Sequence, residues 1–394
     1  MGEAESNAQC IPCAVGSYSL VPGASCKNCP EEAYCYGNYS IASKNGYWQV
    51  STFSDMFFAC PYKAACITSS LNRSGTCAEG YEGNMCQSCS VGYFRWSCVR
   101  CSKCPNSTIH TVGQLAVWLV ILILCVLLIN LSLKIDNSES TDIKIFLNYL
   151  QLVMLFDSFN LAWPELMLQL FNAQEAVGGF PEFLFSFTCL YEEETELQAY
   201  QRKWIILSLL PILLLAVSTA VWTCVSLCHK SRRYLQNQAV GSGIALFFVV
   251  FPSVMRAMLG VLHCREIFPG QFWVLGLDMR CWTSEHLKYA FGLAVPSMVL
   301  WGLAGPALTF LLIRRQKHQF QEAWFKVRYG FLTAGYQSER FYWEYVIIYR
   351  KLLIIAFIVF FAQASLFLQV LSTLDVLLVS VLCRTGSDPT PIQV

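Results

Sequence analysis

Four Cys-x2-Cys pairs, Cys10/Cys13, Cys26/Cys29, Cys86/Cys89 and Cys98/Cys101, have the residue type and spacing for two chemistries: ligation of zinc by thiolates, or cross-linking as disulfides. With Cys35, Cys60, Cys66, Cys77 and Cys104 they put thirteen of the twenty cysteines into residues 10–104. The same segment carries three glycosylation sequons, at Asn38, Asn72 and Asn106, which are used only in the secretory lumen. Disulfides in an oxidising compartment are therefore expected, with no metal and no cofactor; zinc stands as the alternative.

A second set of candidates is charged. Asp157, Arg256 and Asp375 lie inside long apolar stretches, where an ionisable group is costly and marks a functional candidate by default. Asp157 is about 21 Å and Arg256 about 22 Å from the inner ends of their segments, at ~1.5 Å per residue. Equal depth predicts an ion pair joining two helices, the alternative being a charge in an ion or proton path. Asp375, about 12 Å from its inner end, has Arg350 and Lys351 as its nearest basic candidates. Trp343, Glu344, Arg350 and Lys351 are expected at the inner membrane interface, with the two basic side chains snorkelling to it as anchors.

Enzymatic chemistry finds no support. Five histidines are scattered, no G-x-S-x-G, H-E-x-x-H or phosphate loop occurs, and no nucleophile has an evident base. A net charge of +1 with no long basic run outside the loops gives no footprint for nucleic acid.

The elements that must position these residues follow from composition. With 55% hydrophobic and 13% charged residues over 394 positions, the chain fits a multi-pass membrane protein. Residues 1–110 are short Gly- and Pro-punctuated pieces without helical period, as in an EGF-like, disulfide-held ectodomain. Their aromatic run, including Tyr47, Trp48, Phe57 and Phe58, is read as a small core and alternatively as a ligand patch. Residues 111–384 read as an all-α bundle of about seven spans, near 112–133, 143–162, 204–227, 241–262, 290–313, 344–361 and 366–383, with 385–394 as a cytoplasmic tail. The apolar run beyond Lys351 is too long for one crossing and is split near Gln363–Ser365. Pro211, Pro252, Pro296 and the Gly302–Pro306 run are expected to break or kink three of these helices.

Basic residues in loops 228–240 and 314–344 put those loops inside and the cysteine-rich segment outside. The aromatic and basic loop 314–344 is expected to lie as an amphipathic segment on the inner leaflet. That topology exposes Cys189, Cys264 and Cys281 to the oxidising side, where Cys264 is predicted to pair with Cys281, and Cys189 with the odd cysteine of the module, Cys104 being a candidate. The opening MGEAESNAQC lacks the features of a signal peptide, so an upstream part is expected.

Two resemblances cover nearly the whole chain. The runs CPEEAYC, GYW, CPYKAAC and CAEGYEGNMCQSCSVGYF resemble the ephrin-receptor-like cysteine-rich repeats of large surface proteins of unicellular eukaryotes. Leu150–Pro164, the Cys264 and Cys281 pair and Tyr329–Leu353 resemble the helical bundle that follows those repeats, a bundle grouped with transient-receptor-potential-like channels. The resemblance implies a plasma-membrane or other secretory-pathway protein, a sensor or channel-like molecule whose outer module is coupled to the bundle. The alternative is an adhesion or structural protein that the helices merely anchor. Expected partners are membrane lipid and an extracellular ligand or matrix; the sequence leaves the oligomeric state open.

Overall fold

The computed structural model describes residues 3–104 apart from 7–8, 22, 52, 69–75 and 98–99; residues 112, 119, 137–157, 164 and 166–167; residues 196–267 apart from 229–231; residues 270–361 apart from 275; and residues 365–385. The first apolar stretch, 112–133, and Cys189 thus fall outside the description almost entirely. Contacts divide the chain into two units: residues 1–113 with 186–200 and 264–283, and residues 114–185 with 201–263 and 284–394.

The first unit is a string of two-stranded antiparallel ladders, each pairing a strand with the next one along. One turn recurs. Gly16, Gly46, Gly80 and Gly92 have φ of +84 to +89°, and each occupies the third position of a turn closed by Ser17→Ala14, Tyr47→Lys44, Tyr81→Ala78 and Tyr93→Ser90 backbone bonds. That left-handed position suits glycine, and the strand starts on the next residue. The carbonyls of Gly16, Gly46 and Gly92 then accept the amides of Cys29, Cys60 and Cys104, so the turn also sets where the next cysteine falls. Ladder and disulfide are placed by one device.

Cross-links run between near neighbours: Cys13–Cys26, Cys29–Cys35, Cys60–Cys66, Cys77–Cys86 and Cys89–Cys101. Cys104 is also bonded. The Cys26/Cys29 and Cys86/Cys89 pairs are each split between two disulfides, which leaves them no thiolates for zinc. Loops of this length contribute about 2–3 kcal/mol each and make up for very small cores. One core is Tyr18, Ala33, Cys35 and Ile41, with Phe57 against it; another is Cys60, Ala65, Cys66 and Cys86, with Trp48 against it. The aromatic run is therefore largely core.

Near the first of these cores, Asp55 accepts hydrogen bonds from Lys27 at 2.9 Å and from the Tyr18 hydroxyl at 3.0 Å. The Lys27 bond holds its carboxyl below the ordinary range, while burial, and then Asp55 itself, pushes the Tyr18 hydroxyl up to about 12. A depressed carboxyl stabilises the fold above its unfolded value, so this contribution is lost as pH falls through the region below about 4; the raised tyrosine loses its contribution above about 10. Thermal midpoints measured across pH should fall at both ends, and Asp55→Asn should flatten the acid limb.

The second unit is helical. Its described helices are α1 (Asn137–Asp157), α2 (Glu196–Cys228, entering from the first unit), α3 (Arg232–Val261), α4 (Ser284–Gln319), α5 (Ala323–Thr333), α6 (Trp343–Phe361) and α7 (Leu366–Thr385). Within them Leu197–Val225, Gln236–Val261 and Ser284–Gln319 are long and apolar enough to cross a membrane. Small polar residues join them: Ser218 meets Ser242 at 2.6 Å and Ser208 meets Ser297 at 2.6 Å, linking α2 to α3 and to α4.

The expected proline breaks take different forms. Pro211 and Pro252 sit inside unbroken α2 and α3, whereas α4 carries π-helical turns at Ala290–Ala294 and Met298–Ala304, flanking Pro296 and preceding Pro306. In the 314–344 loop, expected to be an interfacial segment, the structure has a helix packed against protein. Phe325, Tyr329, Phe331 and Leu332 of α5 are buried, and α5 packs on α3 with Phe331 edge-on to Phe248, so its aromatic face meets protein.

Candidate functional site

The helical unit encloses a cluster of charges assembled by helix periodicity. Lys144, Asn148 and Gln151 stand four and three residues apart, on one face of α1; Glu344 and Lys351 stand seven apart, on one face of α6. Lys144 is ion-paired with Glu344 at 3.0 Å, the two side chains being 4% and 0% exposed. The Lys144 ammonium also donates to the Ala334 carbonyl at 2.9 Å, at the C-terminus of α5, and lies 4.4 Å from the Tyr336 ring. A helix C-terminus suits a cation because its last carbonyls are unpaired and negative.

Lys351 is equally enclosed. Its ammonium donates to Asn148 and, at 2.6 Å, to Gln151, and stands 4.2 Å above the Phe248 ring of α3. Gln151 in turn donates to the carbonyls of Phe248 and Val249 at 3.2 Å. Four helices thus share two cations and one carboxylate. The Lys351 ammonium, expected to snorkel, is held inside the protein, and Glu344 is buried with it: Asn148 and Gln151 give Lys351 the hydrogen bonds, and Lys144 gives Glu344 the countercharge, that water would otherwise supply. Trp343 is half-buried and stacks on Tyr342.

Arg350 points elsewhere. With Asp375 it lines a groove of about 760 Å³ between α4, α6 and α7, walled by apolar side chains and by Tyr342, Tyr345 and Tyr349. The pair is not in contact within ion-pair distance; Arg350 makes a long 3.4 Å bond to Ser380. The proposed partners Asp157 and Arg256 are not seen together: Arg256 is exposed on α3, and the Asp157 side chain lies outside the described residues. Asn38 is exposed in the turn between strands Ala33–Gly37 and Ser40–Ser43, while Asn72 and Asn106 are not described.

The first unit holds the other candidate. Residues 264–283 form a hairpin, Cys264–Ile267 with Gly270–Trp273, closed by a Cys264–Cys281 disulfide, and it is built into the cysteine-rich module. Asn84 donates to the Leu277 carbonyl at 2.8 Å, Gln87 to the Val274 carbonyl at 2.9 Å, and the Ser88 hydroxyl to Asp278 at 2.5 Å. Beneath these bonds Met85, Ile267, Phe272 and Leu277 form a buried cluster with Trp48 and Phe58 against it. Met85 and Cys86 both have left-handed backbone, φ 57° and 51°, at a cost of about 1–2 kcal/mol per residue. This turn drives Met85, fully buried, into the hairpin.

Sequence reasoning missed Lys144, Asn148 and Gln151, although a polar stripe at helical spacing along an apolar segment was there to find. It also missed Asn84–Ser88, for which nothing local gave a signal.

No protein-family model and no solved structure matches the chain. It is 19% identical, over 460 aligned positions, to cysteine repeat modular protein A of Toxoplasma gondii, an alignment that takes in 89% of this chain and 14% of that protein's length. The disulfide-rich module and the apolar helices fit a membrane surface protein.

Proposed function

We propose that the chain acts as a surface sensor or channel-like protein, in which a disulfide-rich, ephrin-receptor-like module on the outer face biases a transient-receptor-potential-like bundle of about seven spans. A ligand or matrix contact on the module would be the input. The observation that carries this reading is the docked hairpin: residues 264–283 belong to the module, yet continue at one end into α3 and at the other into α4. A displacement of the module is therefore passed by covalent chain to two long apolar helices. The grip of Asn84, Gln87 and Ser88 makes that path stiffer than a free loop would be.

The second reading is an adhesion or structural protein, no enzyme in either case, with the bundle as anchor. It is favoured by the charge cluster, where Lys144 has its counterion and Lys351 has two amide acceptors, an arrangement suited to a closed, dry interior. Current recording from reconstituted liposomes under voltage, stretch and calcium separates the two. Current supports the sensor, and silence under all three transfers the reading to the anchor.

A further inference from the structure

We propose that the groove between α4, α6 and α7 binds a phosphosphingolipid, its phosphate on Arg350 and the N–H and hydroxyl of its sphingoid backbone on Asp375. The proposal rests on the bundle lying in a bilayer and adds a ligand to it.

Three observations carry it. First, opposite charges line one groove, and among the described residues neither forms an ion pair. Arg350 makes only the 3.4 Å bond to Ser380, its Nε is buried with no hydrogen-bond partner, and Asp375 is neither hydrogen-bonded nor ion-paired among the described residues. Both groups are therefore available to a ligand.

Second, their order along the groove is fixed. Helices α6 and α7 run antiparallel, with Arg350 opposite Ser380 and Ile358 bonded to Gln369. Asp375 lies five residues from Ser380, roughly 7 Å along the axis at ~1.5 Å per residue, toward the far end of α6. Tyr342, Tyr345 and Tyr349 cluster at the Arg350 end, the aromatic level at which headgroups sit. A phosphate thus meets the cation first, and the carboxylate lies deeper.

Third, donor chemistry selects the lipid class. At the depth of Asp375 a glycerophospholipid presents ester carbonyls, which only accept hydrogen bonds and are repelled by a carboxylate. A sphingoid base presents an amide N–H and a hydroxyl there, which donate to it. Leu353, Phe357 and Val376 continue the groove as an apolar wall for a chain, and its volume is in the range of small-molecule sites.

The test is retention of labelled lipid by the full chain, purified in detergent and immobilised. Sphingomyelin and phosphatidylcholine share a headgroup and differ in the backbone donors, while ceramide keeps the donors and lacks the phosphate. Sphingomyelin should be held about tenfold more tightly than either of the others. Arg350→Gln should lower sphingomyelin to the level of ceramide, and Asp375→Leu, which removes the acceptor, to that of phosphatidylcholine, in variants that keep the wild-type elution volume. Equal retention of the three lipids by the wild-type protein overturns the proposal without calling on any variant, as does sphingomyelin binding unchanged in Arg350→Gln. Extraction by alkaline carbonate tests the bilayer reading separately: release of the protein by carbonate sinks that reading, and unselective lipid retention by protein that resists carbonate sinks only this one.

Discussion

Glu344→Leu should destabilise the helical unit by about 3–5 kcal/mol, because it leaves the Lys144 ammonium buried without its countercharge. The position allows no rescue by water, as Glu344 is fully buried and the Lys144 side chain only 4% exposed. Lys144 would keep the Ala334 carbonyl and the Tyr336 ring, which solvate a cation in part and do not neutralise it. The double variant Lys144→Met/Glu344→Leu removes both charges at similar volume and should regain most of the loss, since replacing a buried pair by apolar groups is often neutral or better. Thermal unfolding of the detergent-solubilised protein measures both. A single variant as stable as wild type, or a double variant no better than the single, would count against an ion pair that matters to the fold.

Gly83→Ala should loosen the junction between the module and its hairpin. Gly83 has φ of +76°, and a Cβ built there strikes the Asp278 carboxylate, the group that accepts the Ser88 hydroxyl. Two costs combine: about 1–3 kcal/mol for an alanine in the extended positive-φ region that glycine occupies here (ψ −170°), and about 1 kcal/mol for the displaced hydrogen bond. Asp278→Ala alone removes that hydrogen bond without the backbone cost, so its effect set beside that of Gly83→Ala shows how much belongs to the junction. Limited trypsinolysis reports it directly, because Arg265 and Arg280 lie in the hairpin segment. Cleavage there, seen after reduction, should be faster in Gly83→Ala than in the wild type.

What could be read in the sequence divides along physical lines. Apolar length marks helices, so their approximate extents were accessible, and the interruption after Phe361 falls where a single crossing would be too long. Length says nothing about which face a residue takes. Asp157 and Arg256 match in depth, yet Arg256 sits on an exposed face, whereas Lys144, at the start of the apolar stretch 143–162, is buried. Aromatic and basic residues in 323–333 fit a membrane surface as well as a protein one, and only the tertiary fold reveals the protein contact, with Phe331 on Phe248. In the module, cysteine spacing gave the chemistry. The turn glycines before Ser17, Tyr47, Tyr81 and Tyr93 carried a regular repeat that cysteine counting alone passes over. The hairpin's place in the module depends on bonds between residues almost two hundred positions apart, such as Asn84 with Leu277, and no local pattern announces those.

The proposed coupling of module to helices runs through residues 264–283, and amide hydrogen exchange followed by mass spectrometry addresses it most directly. The comparison is between the wild type and a protein with Asn84→Ala, Gln87→Ala and Ser88→Ala, which loses three hydrogen bonds across the junction and keeps every disulfide. At about 1 kcal/mol each, exchange in peptides covering 264–283 should accelerate by about 100-fold, with the Cys13–Cys35 region unchanged. Exchange in those peptides that is the same in both proteins would mean that the hairpin is held by its own ladder and its Cys264–Cys281 bond alone, and that the module has no grip on it.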